Sequence, residues 1–196
     1  AGARLRPWNG QYVGVYCGVL PRSERAANRQ RERALHLLGF AELQRDFYLR
    51  PDNIEPDIAA IRLRLHALGL EERALVCACS GFDGATEAAI DALWNGVALN
   101  QGYRATQERL QRWLDGAARL PIDQAARESF FLGGAAIRQL VYDPLLPEPM
   151  VDSALRAAFI DSVHAFDAAG RAIWDRFYDT LSTPDTTTRK ARLRVA

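Results

Sequence analysis

No stretch of this 196-residue chain approaches the 18 apolar residues in a row that a transmembrane helix needs. Cysteine is scarce. Cys17, Cys77 and Cys79 cannot all pair, which argues against a secreted disulfide scaffold and for a reducing, cytoplasmic setting without a membrane partner. Histidine is equally sparse, and His36, His66 and His164 fall on three different predicted helices. None has HExxH spacing, and no GxSxG, Walker A or GxGxxG string occurs. With no nucleophile–base pair and no metal-ligand cluster standing out, no catalytic residue, no metal and no cofactor is expected, and the chain is not expected to be an enzyme. A surplus of one charge is also missing. Lys+Arg is 25 against 24 Asp+Glu, so a strongly basic nucleic-acid binder is excluded on the average, though not patch by patch. The opening residues Ala1-Gly2-Ala3-Arg4-Leu5-Arg6-Pro7 have no apolar signal-peptide core and do not begin with Met. A processed chain or a fragment of a longer one is expected.

What is present is globular material, with 48% hydrophobic and 25% charged residues. The length fits one large domain or two small ones, and folding should bury about 70% of the unfolded surface. Charge is uneven, with a balance of +3 over residues 1–80, −5 over 81–181 and +3 over 182–196. Texture follows charge. Residues 1–7 read as a linker, 8–82 as alternating strand and helix, 83–181 as helix almost throughout, and 182–196 as a flexible basic tail.

Tyr12 to Leu20 alternates with period two. Val13, Val15, Cys17 and Val19 make a core face for helices, while Tyr12, Gly14, Tyr16 and Gly18 make a small, aromatic face suited to close approach by another surface. Ser23 is the expected cap of a helix ending at Gly39. Phe40–Leu43 and Phe47–Arg50 read as a hairpin around Gln44-Arg45-Asp46. Pro56 opens a second helix with Ile58, Ile61, Leu65 and Leu68 as its stripe and Gly69 as its stop. Ala74 to Phe82 is the last strand, with Leu75, Cys77 and Cys79 on one face. This βαββαβ order predicts a ferredoxin-like domain with its first and last strands side by side in the centre. The three cysteines are then expected near one another under the helices, as buried core thiols or, alternatively, as a thiol metal or redox site.

The second part predicts a helical domain, making the whole chain α+β. Thr86 caps a short helix, and Tyr103, Leu110, Trp113, Leu114 and Ala117 mark a longer one that Pro121 breaks. Asp123 caps a third helix carrying Phe130 and Phe131, with Gly133-Gly134 predicting a kink or a close helix contact. Asp143-Pro144-Leu145-Leu146-Pro147 stops it, and Asp152 caps a last long helix. The aromatic set Trp94, Tyr103, Trp113, Phe130, Phe131, Trp174 and Tyr178 reads as core or as the wall of an apolar ligand pocket. Arg22, Arg25, Arg29 and Arg33 recur along one helix face that His36 continues. That face is either plainly solvated or turned toward phosphates.

Trp8-Asn9-Gly10-Gln11-Tyr12, Leu37-Leu38-Gly39-Phe40 and Arg50-Pro51, followed by Trp94, Asn100, Tyr103, Arg138 and the string Asp143-Pro144-Leu145-Leu146-Pro147, resemble the PaaX family, the bacterial repressors of phenylacetate degradation. The similarity spans roughly residues 8 to 175. It implies a homodimeric regulator with a winged helix-turn-helix, a ferredoxin-like middle domain and a helical C-terminal domain, released from DNA by phenylacetyl-CoA or a related acyl-CoA. No winged helix precedes Trp8, so operator DNA is expected to be reached only through that missing element. Two places depart from the family pattern. Gly133-Gly134-Ala135-Ala136-Ile137-Arg138 has no His and a single Arg, and Glu148-Pro149-Met150-Val151 follows the Asp143–Pro147 string. Trp94, Asn100, Tyr103 and Arg138 are the expected effector contacts, with Asp143 and Pro144 structural before functional. The ferredoxin-like part also resembles small CRISPR adaptation proteins, but Cys17 stands where those that bind metal carry Asp, and a thiol among valines does not hold a hard cation. The expected function is the dimerisation and effector-binding portion of such a repressor. The alternatives are a metal-dependent nuclease and a helical interaction protein without a ligand.

Overall fold

The structure is a computed structural model that describes residues 5–21 and 23–182; Arg22 and nearly all of the expected basic tail lie outside the described residues. The elements run β1 (Tyr12–Tyr16), α1 (Arg25–Leu37), β2 (Ala41–Gln44), β3 (Phe47–Pro51), α2 (Ile58–Ala67), β4 (Leu75–Cys79), α3 (Gly84–Asp91), α4 (Gly96–Ala117), α5 (Ile122–Val141) and α6 (Ser153–Ser182). The strands form one antiparallel sheet in the order β2-β3-β1-β4. That order, with α1 and α2 as crossovers, is the predicted ferredoxin-like topology, and the described elements after β4 are all helices. The central pair is β1 and β3, not β1 and β4, because β4 pairs only with β1 and lies at an edge. Tertiary contacts divide the chain into two compact units, Ala1–Arg104 with Arg138–Ala157, and Ala105–Ile137 with Ala158–Ala196.

In the first unit the faces follow the alternation. Val13, Val15 and Cys17 belong to one core with Leu35 and Leu38 near the end of α1, Ile61 and Leu65 from α2, and Val76. Val19, expected on that face, is exposed because the strand stops at Tyr16 and the Cys17 N–H donates to the Asp46 carbonyl at 2.8 Å. Both predicted glycine stops hold. Gly39 and Gly69 have φ of +72° and +105°, and the N–H groups of Phe40 and Leu70 each close back on a carbonyl inside the helix, Leu35 and Leu65, at 3.0 Å. Helix starts differ more. Glu24, not Ser23, occupies the cap of α1, with no side-chain bond. Asp57 caps α2 through the Ala60 N–H at 2.8 Å, one residue after Pro56. Asp83, not Thr86, caps α3, and Thr86 supplies the N–H it accepts. Asp123 lies inside the first turn of α5, whereas Asp152 caps α6 as predicted.

The cysteines do not gather. Leu75, Cys77 and Cys79 share a face, but the register sets Cys77 opposite Gly14 and Cys79 opposite Tyr12. Directly opposed residues of an antiparallel pair point to the same side, so these two thiols stand on the Tyr12–Gly14–Tyr16 face, away from Cys17. That face has cover within the chain. Tyr12, Leu49 and Ile90 form a second core with Trp8, Phe47, Phe82, Leu93, Trp94 and Met150 around it, while Tyr16 and Leu75 stay exposed at the other end. The opening motif is a local turn into this core. The Trp8 indole N–H donates to the Gln11 carbonyl at 2.6 Å, and its ring meets Tyr12 edge-on at 5.3 Å.

Gly39 has a second constraint besides its positive φ. A Cβ there would lie 2.5 Å from the Pro144 carbonyl oxygen, so the Asp143–Pro147 string is seated directly on the end of α1. Gly39→Ala is expected to cost about 2–4 kcal/mol, combining the left-handed backbone penalty with overpacking. Urea denaturation checks it, and a loss under about 1 kcal/mol would show that the string moves away freely.

In the second unit Gly133 is a point of close helix contact. A Cβ there would sit 3.3 Å from the ring of Phe166, which itself lies 4.8 Å from Trp113, centroid to centroid. The Trp113 N–H donates to Glu128 at 3.0 Å. Phe130 and Phe131, expected in or near the core, are both about two-thirds exposed.

Candidate functional site

The Asp143–Pro147 string is fastened through its backbone oxygens. Asp143 Oδ1 accepts the Leu145 N–H at 2.8 Å, closing a turn in which Leu145 adopts φ +53°. The Leu145 carbonyl accepts from the Asn53 amide at 2.9 Å, and the Leu146 carbonyl from the Arg156 guanidinium at 2.6 Å. Behind Asn53 stands Arg50, fully buried on β3. It donates to the carbonyls of Leu38 and Pro51 and to Asn53 Oδ1 at 2.7 Å. Burial, with Arg64 nearby, pulls the Arg50 pKa down to about 9, which still leaves it charged at neutral pH. Tyr103 of α4 is buried beside Asp143 and Arg156. Burial first, then the Asp143 carboxylate, raises its phenol well above the ordinary range.

Over this framework opens a cavity of about 580 Å³. Phe40, Leu93, Trp94, Ala98 and Leu99 supply apolar wall, Gly39 and Pro144 form one side, and His36, Asn95 and Tyr142 bring polar atoms to it. The His36 and Tyr142 rings lie 5.2 Å apart, tilted by 34°. Asn95 also caps α4, its Oδ1 accepting the Ala98 N–H at 2.9 Å. The volume is in the range of cavities that take small organic ligands, and the walls suit a flat apolar group.

Of the sequence-derived candidates, Trp94 and Pro144 line this cavity. Asn100 does not; its Oδ1 accepts the Asp152 N–H at 3.1 Å, just before α6. Tyr103 lies beneath, in the polar cluster with Asp143. Arg138 is exposed near the end of α5 and does not line the cavity. Arg25, Arg29 and Arg33 are exposed on α1, and Arg29 and Arg33 border a shallow recess of about 430 Å³ with Gln30, Leu37, Ala67 and Leu68. Arg31, between them in sequence, turns inward to a two-pronged pair with Glu71 at 2.5 and 3.1 Å, which holds the Glu71 carboxyl below its usual range. His36, Tyr142, Arg50, Asn53 and Arg156 are the participants that sequence reasoning did not bring together. The second unit has its own apolar cavity, about 220 Å³, lined by Phe130, Gly133, Ile137, Phe166 and Trp174 among others. None of the expected effector contacts lines it. Among the described residues, no three His, Cys, Asp or Glu side chains group to hold a metal ion.

A ferredoxin-like sheet followed by a helical C-terminal part defines an α+β protein, and the sheet-containing unit carries an organic-sized cavity. Residues 94–176, less than half of the chain, match the family described as PaaX-like protein C-terminal domain, and over this stretch the chain is similar to that family. Among solved structures the chain is similar to "Uncharacterized protein Rv0674 from Mycobacterium tuberculosis", with a TM-score of 0.56 and 21% sequence identity over 87% of this chain. At that identity the likeness is one of fold, and the chain spans 66% of that protein's length. No curated protein matches the sequence. No described helix is long and apolar enough to cross a membrane.

Proposed function

We propose that this chain is the effector-binding portion of a dimeric transcriptional repressor of aromatic-acid catabolism, working by binding rather than catalysis, and that its effector is an aryl- or acyl-CoA. The observation that carries the reading is the cavity of about 580 Å³ whose wall includes Trp94 and Pro144, both at positions that carry the PaaX resemblance. The acyl or aryl group would lie against Trp94 and Phe40, with His36 and Tyr142 able to bond a thioester oxygen. Arg29 and Arg33 precede His36 by seven and three residues, so all three share one face of α1. They would offer charge to the phosphates of a CoA tail that leaves the cavity past His36 along α1.

Thermal melting with phenylacetyl-CoA tests this. Saturating effector is expected to raise Tm in a concentration-dependent way, equivalent to about 2.7 kcal/mol at one hundred times Kd. Trp94→Ala should weaken binding at least tenfold. Arg33→Ala should weaken the CoA thioester but not the free arylacetic acid. If no CoA thioester shifts melting at millimolar concentration, or Trp94→Ala leaves affinity unchanged, the cavity is not the effector site.

A further inference from the structure

The half-buried thiols of Cys77 and Cys79 lie 3.7 Å apart, sulfur to sulfur, on the edge strand β4. The two residues are i and i+2 on a strand, so both side chains leave the same face. Gly14, opposite Cys77 in the register, leaves the room that Cys79 Sγ takes up; a Cβ there would lie 2.6 Å from that sulfur and 3.0 Å from the Phe47 ring. Cys79 is packed on the apolar side of Tyr12, Leu49 and Ile90, while β4 has a strand on one side only. The pair is therefore backed by apolar wall and open at the edge.

We propose that Cys77 and Cys79 form a binding site for a soft univalent d10 cation of the Cu(I) type. Thiolate sulfur selects soft ions over hard ones. Among the described residues no third Cys, His, Asp or Glu joins the pair, so the ion has to be content with two protein ligands. Zn²⁺ prefers four, whereas a univalent d10 ion accepts two. With metal–sulfur bonds near the ~2.3 Å seen for zinc thiolates, a bent two-ligand centre spans about 3.8 Å and a linear one about 4.6 Å. The observed separation is close to the first and reaches the second with a small rotation of one side chain. On binding, two S–H bonds break and two metal–sulfur bonds form. Both protons go to solvent, and no electron is transferred. Cys17, on the other face of the sheet among valines and leucines, takes no part.

The test is anaerobic competition between the full chain and the chromophoric Cu(I)–bicinchoninate complex. Wild type and Cys17→Ser are each expected to withdraw one equivalent of Cu(I). Cys77→Ser and Cys79→Ser should each bind at least tenfold more weakly, with unchanged far-ultraviolet circular dichroism. Gly14→Ala, which retains both thiols but crowds Cys79 Sγ, should also weaken binding. Copper-edge X-ray absorption of the loaded wild type should show two sulfur neighbours, a readout that survives if a variant misfolds. No withdrawal by wild type, equal loss in Cys17→Ser, full affinity in either single variant, or a nitrogen and oxygen coordination shell would each overturn the assignment.

Discussion

Replacing Arg50 with methionine is expected to destabilise the sheet-containing unit by about 3 kcal/mol, the range for losing charged hydrogen bonds and leaving buried neutral acceptors unpaired. Arg50 is opposite Val13 in the β1–β3 register and so points into the core under the helices, where an aliphatic residue would ordinarily stand. Its guanidinium is kept there by three acceptors on three segments: the Leu38 carbonyl at the end of α1, its own neighbour Pro51 at 2.9 Å, and Asn53 at 2.7 Å. The first of these is one of the carbonyls a helix leaves unsatisfied at its C-terminus, where a positive charge is also favoured. Phe40 adds a ring 5.9 Å from the guanidinium carbon. Methionine fills similar volume but leaves these acceptors short of a donor in a dry site, so packing does not compensate. Arg50→Lys keeps the charge and loses the fork, and is expected to fall between the two. Hydrogen exchange of the β1 and β3 amides, read alongside urea denaturation, localises the loss to this unit. A cost under about 1 kcal/mol would mean that water replaces the guanidinium.

Much of this architecture was readable in the sequence because it depends on local rules. Alternation placed Val13 and Val15, the 3.6 period placed Ile61 and Leu65, and Gly39 and Gly69 marked positive-φ helix ends that few other residues tolerate. Strand limits were read too long, since Val19 continues the apolar pattern after the ladder has ended. The caps were misread where two candidates stood within three residues, as with Asp83 and Thr86. Non-local facts were the ones lost. Whether Cys77 shares a face with Cys17 depends on the β1–β4 register, and each strand's own alternation is silent on that. Arg50 was marked only by the family resemblance, and Asn53 and Arg156 by nothing that separates them from the other polar residues, because burial of an arginine is decided by partners that arrive from elsewhere in the chain. The cavity was half legible. Trp94 and Pro144 were singled out by resemblance, but His36 and Tyr142 meet only after the Asp143–Pro147 string has folded onto Gly39. The core reading of Phe130 and Phe131 failed, although Phe130 borders the smaller apolar cavity, because helical spacing says which residues share a face and not whether that face is covered.

Arg156→Met carries the second large expected effect, about 3 kcal/mol, the sum of a charged hydrogen bond lost and a buried acceptor left unpaired. Arg156 sits in the first turn of α6, is almost fully buried, and donates to the Leu146 carbonyl at 2.6 Å. Its charge also faces the Tyr103 hydroxyl, which has the Asp143 carboxylate on it as well. Asp143 in turn holds the Leu145 N–H. One guanidinium thus bears on both ends of the Asp143–Pro147 string, directly at Leu146 and through Tyr103 at Asp143. The string forms the Pro144 side of the cavity, so the consequence reaches beyond stability. If the string loosens, Pro144 and Tyr142 lose their fixed places opposite Trp94, and ligand affinity should fall although Arg156 lines no part of the cavity. Arg156→Lys, which can still reach one acceptor, is expected to recover part of the stability and most of the affinity. Urea denaturation and effector-dependent melting on the same two variants separate the effects. A methionine variant with wild-type stability would show that Leu146 finds another donor. One that is destabilised by about 3 kcal/mol yet binds effector with unchanged affinity would show that the string is not what sets the cavity wall.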